Sequence, residues 1–316
     1  MNAVGLPDTF FTASPRWEWL IVFYFFVGGI AGGAYFLAAL IDFFGRPEDR
    51  PLARLGYYIA LPAVVISGIL LILDLSRPLR FWHMLLESQT WLPMFKWWSP
   101  MSIGSWALLI FGLFSGMSFL AALSEAGRLR WGWPNPFRPP HLLGSMWTIV
   151  GGLLGFFVAG YTGVLLSVTN RPVWADTNLL GLMFLLSSAS TAAALIILIA
   201  RGRRWLTPGL SALAHLDSWV LAAELVAVVA LVLTVGWSVV RHIWLNWWGV
   251  LFLVGVLLVG IVVPLILEYR ARSIATPSVA AAAVLVLAGG FLLRVVMLLS
   301  PDTLRLAADL LVGGLT

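Results

Sequence analysis

Eight long apolar stretches, separated by short arginine-bearing breaks, constrain this chain more than any other feature. Charge-free runs cover residues 19–41, 55–73, 97–124, 142–170, 177–200 and 243–267, and two more, 218–240 and 273–301, carry one internal charge each. A bilayer core of roughly 30 Å is crossed by about 20 apolar residues as a helix, so every stretch is long enough to span. Backbone polar groups cannot stay unpaired in lipid, and the runs are too long and too evenly apolar for barrel strands. The expected fold is therefore all-α: a polytopic integral membrane protein of eight transmembrane helices. The expected organisation is a short tail (1–17), a first four-helix bundle (18–170), a second (177–301) and a C-terminal tail (302–316).

Composition narrows the chemistry. The sequence is 61% hydrophobic and 10% charged, which leaves little for a water-soluble domain. Its basic residues are 18 Arg and Lys96, almost all at helix ends, so the positive charge is no sign of nucleic-acid binding. With no cysteine, the protein cannot hold a thiolate-ligated iron–sulfur cluster or form a disulfide. His83, His141, His215 and His242 lie in breaks or at helix ends, unsuited to a haem between facing helices. No Walker loop, zincin motif or nucleophile elbow is present. The N-terminus lacks the basic region and short apolar core of a signal peptide and reads as a tail.

Loop charges orient the spans. Both termini and the breaks after spans 2, 4 and 6 carry seven basic residues: Arg16, Arg77, Arg80, Lys96, Arg171, Arg241 and Arg305. The opposite side carries eleven: Arg46, Arg50, Arg54, Arg128, Arg130, Arg138, Arg201, Arg203, Arg204, Arg270 and Arg272. The positive-inside rule then makes the second side cytoplasmic and places both termini and the 74–100 connection outside the cytoplasm. Trp17, Trp19, Trp82, Trp91, Trp97 and Trp98 gather on that outer side as an aromatic belt.

Ionisable groups at membrane depth are costly and usually functional or paired. Glu224 in span 6 and Arg294 in span 8 are such groups, and with Asp217 they form a candidate proton network. Counted from Asp217, Glu224 lies seven residues in, roughly 10 Å from the cytoplasmic border; Arg294 lies about 9 Å from the opposite one. On that count they occupy different leaflets. The outer ends are richer: Asp74, Arg77 and His83 leave span 2, Tyr161 comes up on span 4, and Glu18 and Tyr24 lie on span 1. A buried tyrosine between a carboxylate and an apolar cleft suits hydrogen bonding to a quinone. The same residues also fit an interfacial tyrosine and an exposed Asp74–Arg77 pair, so residue types alone leave the reaction open.

Several segments resemble the NrfD/PsrC family, the membrane subunits of polysulfide-reductase-like complexes. They are Phe25-Phe26-Val27-Gly28-Gly29-Ile30-Ala31-Gly32-Gly33, Leu73-Asp74-Leu75-Ser76-Arg77-Pro78 and Ser99-Pro100-Met101-Ser102 with Trp106. Tyr161-Thr162-Gly163-Val164-Leu165-Leu166-Ser167 with Arg171-Pro172-Val173-Trp174, and Gly289-Gly290-Phe291-Leu292-Leu293-Arg294, complete the set. The resemblance implies eight helices in a bacterial inner membrane and a menaquinone or ubiquinone near the outer face. It also implies docking to a ferredoxin-like iron–sulfur subunit that serves a molybdopterin catalytic subunit, in a complex whose dimerisation is left open. It makes Tyr161 the quinone-contacting residue; the residues themselves add the expectation of Asp74 as its catalytic partner and of Tyr24, Glu18, Arg77 and His83 around the head group. The Asn and His found on the first helix of the polysulfide reductase membrane protein fall at Ile21 and Tyr24, a departure from the family pattern. Quinol is expected to enter between helices 1, 2 and 4. A non-redox membrane anchor and a secondary transporter are the alternatives.

Overall fold

The computed structural model describes residues 17–169, 171, 173–202, 207–270 and 276–301. Within them run eight helices long and apolar enough to cross a bilayer: α1 (Trp19–Phe44), α2 (Arg50–Asp74), α3 (Pro100–Glu125), α4 (Leu142–Ser167), α5 (Leu180–Ala200), α6 (Thr207–Val235), α7 (Trp247–Arg270) and α8 (Pro277–Leu299). The polytopic expectation holds. The two tails, apart from Trp17, and Arg16, Asn170, Arg203, Arg204, Arg272 and Arg305 lie outside the described residues. Successive helices alternate in direction, so Asp74, Pro100 and Ser167 share one end of the molecule and Asp42, Glu125 and Leu142 the other.

The glycine-rich stretch of α1 explains its central position. In lipid, helices associate through close van der Waals contact, which small residues permit. A Cβ on Gly32 would run into the Gly155 carbonyl of α4, and one on Gly33 into the Ser188 carbonyl of α5. With these backbones in near contact, α1 packs against α2, α4, α5 and α8. In turn α5 touches α1, α4, α6 and α8, and one buried cluster runs continuously from Tyr161 and Leu165 to Val256 and Leu298. In α7 the backbone widens to π-helical turns over Leu251–Val262, just before Pro264. Proline lacks an N–H and its ring collides with the carbonyl four residues back, and the wider turns accommodate both defects.

The tryptophan belt needs one correction. Trp19, Trp91, Trp97 and Trp98 are exposed, but Trp17 is buried, stacked on Trp174 at 5.2 Å. Trp174 is fully enclosed, donates from Nε1 to the Met297 carbonyl at 2.6 Å, and lies under the Arg171 guanidinium. Val173, held at a φ of 70°, and Trp174 are thus interior residues that join α1 to α8.

Candidate functional site

At the Asp74 end of α1–α4 lies a cavity of about 400 Å³. Its inner wall comes from Ile21, Tyr24 and Phe25 of α1 and Tyr161 and Leu165 of α4; α2 contributes Val64 through Asp74, and α3 Met101 through Leu113. The roof is made by the connection after α2. At Leu75 the backbone turns extended, a 3₁₀ segment follows over Pro78–Met84, and Phe81, Met84 and Leu85 drop into the opening. The stacked Trp82 and Trp91 rings, 4.8 Å apart, and the Leu86–Pro93 bridge hold this strap in shape, and the Trp106 indole ties it to α3 through the Met94 carbonyl at 3.0 Å.

Tyr161 is 8% exposed and Tyr24 4%. The Tyr161 hydroxyl donates to the Pro100 carbonyl, and Phe157 stacks on its ring at 5.3 Å. Gly104 makes room for it, since a Cβ there would meet the phenol ring. A backbone carbonyl can only accept, so the tyrosine proton is committed and its oxygen lone pairs remain available. Neither the Tyr24 hydroxyl nor the Asp74 carboxylate has a hydrogen-bond partner among the described residues, and both line the cavity. The remaining lining is almost entirely aliphatic, aromatic or Met. An apolar lining with a few polar groups at one end is the make-up of a small-molecule pocket.

Of the residues expected around the ligand, Tyr161, Tyr24 and Asp74 line the cavity, whereas Glu18, Arg77 and His83 do not. Glu18 is an exposed residue capping the start of α1, close enough for its charge to act on Asp74 at the rim. Arg77 is carried outward because α2 stops at Asp74, and His83 stacks on Trp82 at 3.8 Å with Ser88 at 2.5 Å from its Nδ1. The whole α3 wall and the roof were missing from the sequence expectation. Their signals were the recurring glycines Gly104, Gly112 and Gly116 on α3 and the Ser99-Pro100 helix start, where Ser99 Oγ accepts from the Ser102 N–H at 3.4 Å.

The internal charges of the second half also need correcting. Helix α6 begins at Thr207, ten residues before Asp217, so Glu224 and Arg294 each stand seventeen residues beyond the start of their helices, at the same depth of about 25 Å. They converge on Ser187 of α5. Arg294 donates to Ser187 Oγ at 2.6 Å, the Gly290 carbonyl at 2.8 Å and Ser188 Oγ at 3.0 Å, and the Glu224 carboxyl lies beside the same Ser187. Arg294 is fully buried between the rings of Phe184 and Phe26. Asp217 is also fully buried, beside Ser190 and Glu268, with neither carboxylate oxygen hydrogen-bonded among the described residues; Glu268 accepts from Ser218 Oγ at 2.7 Å. Among the described residues, no group of three or more His, Asp or Glu side chains is placed to share a metal ion.

A second cluster, which residue types did not reveal, closes the opposite end of α1–α4. Arg138, in the connection before α4, bonds Asp42 of α1 at 2.8 and 3.1 Å and Glu125 of α3 at 2.9 Å. Tyr57 of α2 donates to the same Asp42 carboxylate at 2.8 Å and lies under the guanidinium, 4.9 Å away. Burial works to discharge Arg138, but Asp42, Tyr57 and Glu125 outweigh it and raise its pKa above the ordinary arginine value.

Comparison with known proteins fits this architecture. The sequence is 30% identical to the C chain of polysulfide reductase from Wolinella succinogenes over 187 residues, 55% of each protein, so the matched part spans about half that relative's length. It is 26% identical to protein NrfD of Escherichia coli over 304 residues, 88% of this protein and 92% of the relative. It is also 26% identical to the C subunit of selenate reductase from Mesobacillus selenatarsenatis over 104 residues, 33% of this protein and 22% of that one. Residues 8–303 match the family described as polysulphide reductase, NrfD, and the chain belongs to that family.

Proposed function

We propose that the protein is the quinol-oxidising membrane subunit of a multi-subunit oxidoreductase, and that the Tyr161–Tyr24–Asp74 cavity binds the quinol head group. One observation carries this reading: an elongated apolar cavity of about 400 Å³ with its few uncommitted polar groups gathered at one end. Quinol, when bound, supplies two electrons and two protons. Tyr161 orients a quinol hydroxyl by accepting from it, because its own proton is held by the Pro100 carbonyl. The same arrangement makes Tyr161 a poor donor to a quinone carbonyl, which favours the reduced ligand. Asp74, at the rim and with no hydrogen-bond partner among the described residues, accepts a proton and passes it to solvent. Phe81, Met84 and Leu85 exclude water above the ring.

The end bearing Asp74 and both termini is assigned to the extracytoplasmic side of a bacterial inner membrane, with α1–α4 as the quinone-binding half and α5–α8 as the second bundle. The names of the polysulfide and selenate reductase relatives, each one component of a reductase, support assembly with further proteins. With no cysteine to hold a cluster of its own, this subunit passes electrons to a docked ferredoxin-like iron–sulfur protein that serves a molybdopterin enzyme. Arg77, Arg80 and the 82–98 strap form part of that docking surface. Glu224, Arg294 and Asp217, with Glu268, are assigned as a buried proton-carrying track.

Tyr161→Phe in the intact complex tests this. Removing a hydrogen bond worth ~1.4 kcal/mol in the transition state lowers quinol-linked turnover about tenfold or more, with the complex still assembled. Unchanged turnover removes Tyr161 from the mechanism. A purified complex whose lipid extract holds no quinone, and which quinol does not reduce, ends the proposal.

A further inference from the structure

The cavity is not closed on all sides, and the way it opens says how its ligand lies. Its α1 and α4 walls are buried: Tyr24, Phe25, Ile21, Tyr161 and Leu165 all face the interior. Its α2 and α3 walls run out onto the lipid-facing surface, where the lining residues Val65, Leu109 and Leu113 are 51%, 42% and 65% exposed. The polar groups lie at the Asp74 and Tyr161 level, and the lining continues down α3 from Met101 to Leu113, twelve residues or about 18 Å towards the membrane centre. That length is more than a ring system needs. Two glycines stand where the slot meets lipid, Gly68 on α2 and Gly112 on α3, and a Cβ at either position would find no atom within 4 Å. At Gly32 and Gly33 of α1 glycine brings backbones together; these two leave space.

We propose that the cleft between α2 and α3, kept open by Gly68 and Gly112, is the portal and binding groove for the ligand's polyisoprenoid tail. The occupant is a long unsaturated hydrocarbon tail attached to the ring bound above. Its groove is continuous with the ring cavity, is lined there by aliphatic side chains, and opens at the depth where such a tail enters the bilayer interior. Entry is thus between α2 and α3, and the expected route between helices 1, 2 and 4 is corrected, since α1 and α4 form the sealed side. This inference rests on the quinol reading and adds the tail to it.

Gly68→Leu and Gly112→Leu put a branched side chain into the groove from positions where a Cβ meets no atom within 4 Å. The intact complex is assayed with two donors of the same head group, one bearing the native-length isoprenoid tail and one bearing none. In both variants kcat/KM for the long-tailed donor falls about tenfold, while that for the tail-less donor stays within about twofold of the unmodified complex. Retained turnover of the tail-less donor shows in the same assay that the variants fold. Equal losses for both donors, or no loss for the long-tailed one, overturn the portal. If the unmodified complex oxidises neither donor, the quinol reading itself has failed, an outcome distinct from failure of the portal.

Discussion

The two ends of the α1–α4 half are built from the same four helices and treat polar groups in opposite ways. At the Asp42 end, Arg138, Asp42, Glu125 and Tyr57 converge from three helices and a loop, and Asp42 accepts three hydrogen bonds. At the Asp74 end, Tyr24 and Asp74 line a cavity with no hydrogen-bond partner among the described residues, and Tyr161 keeps its lone pairs. A buried charge left unpaired is destabilising, so the membrane tolerates the first cluster only because its members answer one another. The second cluster is incomplete among the described residues, and on the proposed function the quinol head group completes it. On that reading full satisfaction goes with a structural clasp and partial satisfaction with a site, although both look alike in a list of polar residues.

The largest effect that could break this comparison lies at the clasp. Arg138→Ala leaves Asp42 buried without its partner, and losing one member of a buried pair costs ~3–5 kcal/mol. We expect a marked fall in thermal stability and in yield of the folded subunit. Arg138→Lys recovers part of it, because an ammonium restores the charge but not the paired contacts to both Asp42 oxygens. The raised pKa of Arg138 keeps it charged up to the arginine range, so its contribution is present while Asp42 and Glu125 are ionised and is lost as pH rises through that range. A stable Arg138→Ala variant with reduced quinol turnover would mean that the clasp, too, is functional.

How much of this was legible before the structure depends on what each feature needs. Span number and length follow from hydropathy alone, because lipid forces long apolar runs to be helices. Tyr161, Tyr24 and Asp74 were legible because a polar residue in an apolar run is conspicuous. The α3 wall was not, since Met101, Leu108 and Leu113 are ordinary lipid-helix residues and only packing turns them towards a cavity. The clasp was hidden differently: Asp42, Glu125 and Arg138 sit at span borders, where charge is expected, and nothing in their spacing tells pairing from exposure. Depth counted from the charge at Asp217 separates Glu224 and Arg294 into different leaflets, because apolar patterning does not show that α6 begins at Thr207.

At the open end, smaller and purely functional effects sharpen the contrast. Asp74→Asn keeps the shape of the rim and removes the proton acceptor. We expect quinol-linked turnover to fall about tenfold, with thermal stability within ~0.5 kcal/mol of the unmodified subunit, as for a substitution away from packed or paired groups. A stability loss comparable to that of Arg138→Ala would show that Asp74 is structural and that the two ends do not differ in kind.

Tyr24→Phe is the smallest change and the most discriminating. The hydroxyl makes no hydrogen bond to any of the described residues, so its removal leaves none of them unsatisfied, and the ring that packs on Phe25 at 5.3 Å is retained. A group that served the fold would be missed in stability; one that waits for a ligand would be missed only in binding. We therefore expect KM for quinol to rise about three- to fivefold, the loss of one neutral hydrogen bond of ~0.5–1.5 kcal/mol, with kcat little changed and the melting temperature unaltered. A fall in kcat with KM unchanged would instead place Tyr24 at the proton-transfer step beside Asp74. No change in either constant would confine recognition of the head group to Tyr161 and Asp74, leaving Tyr24 as a wall of the cavity.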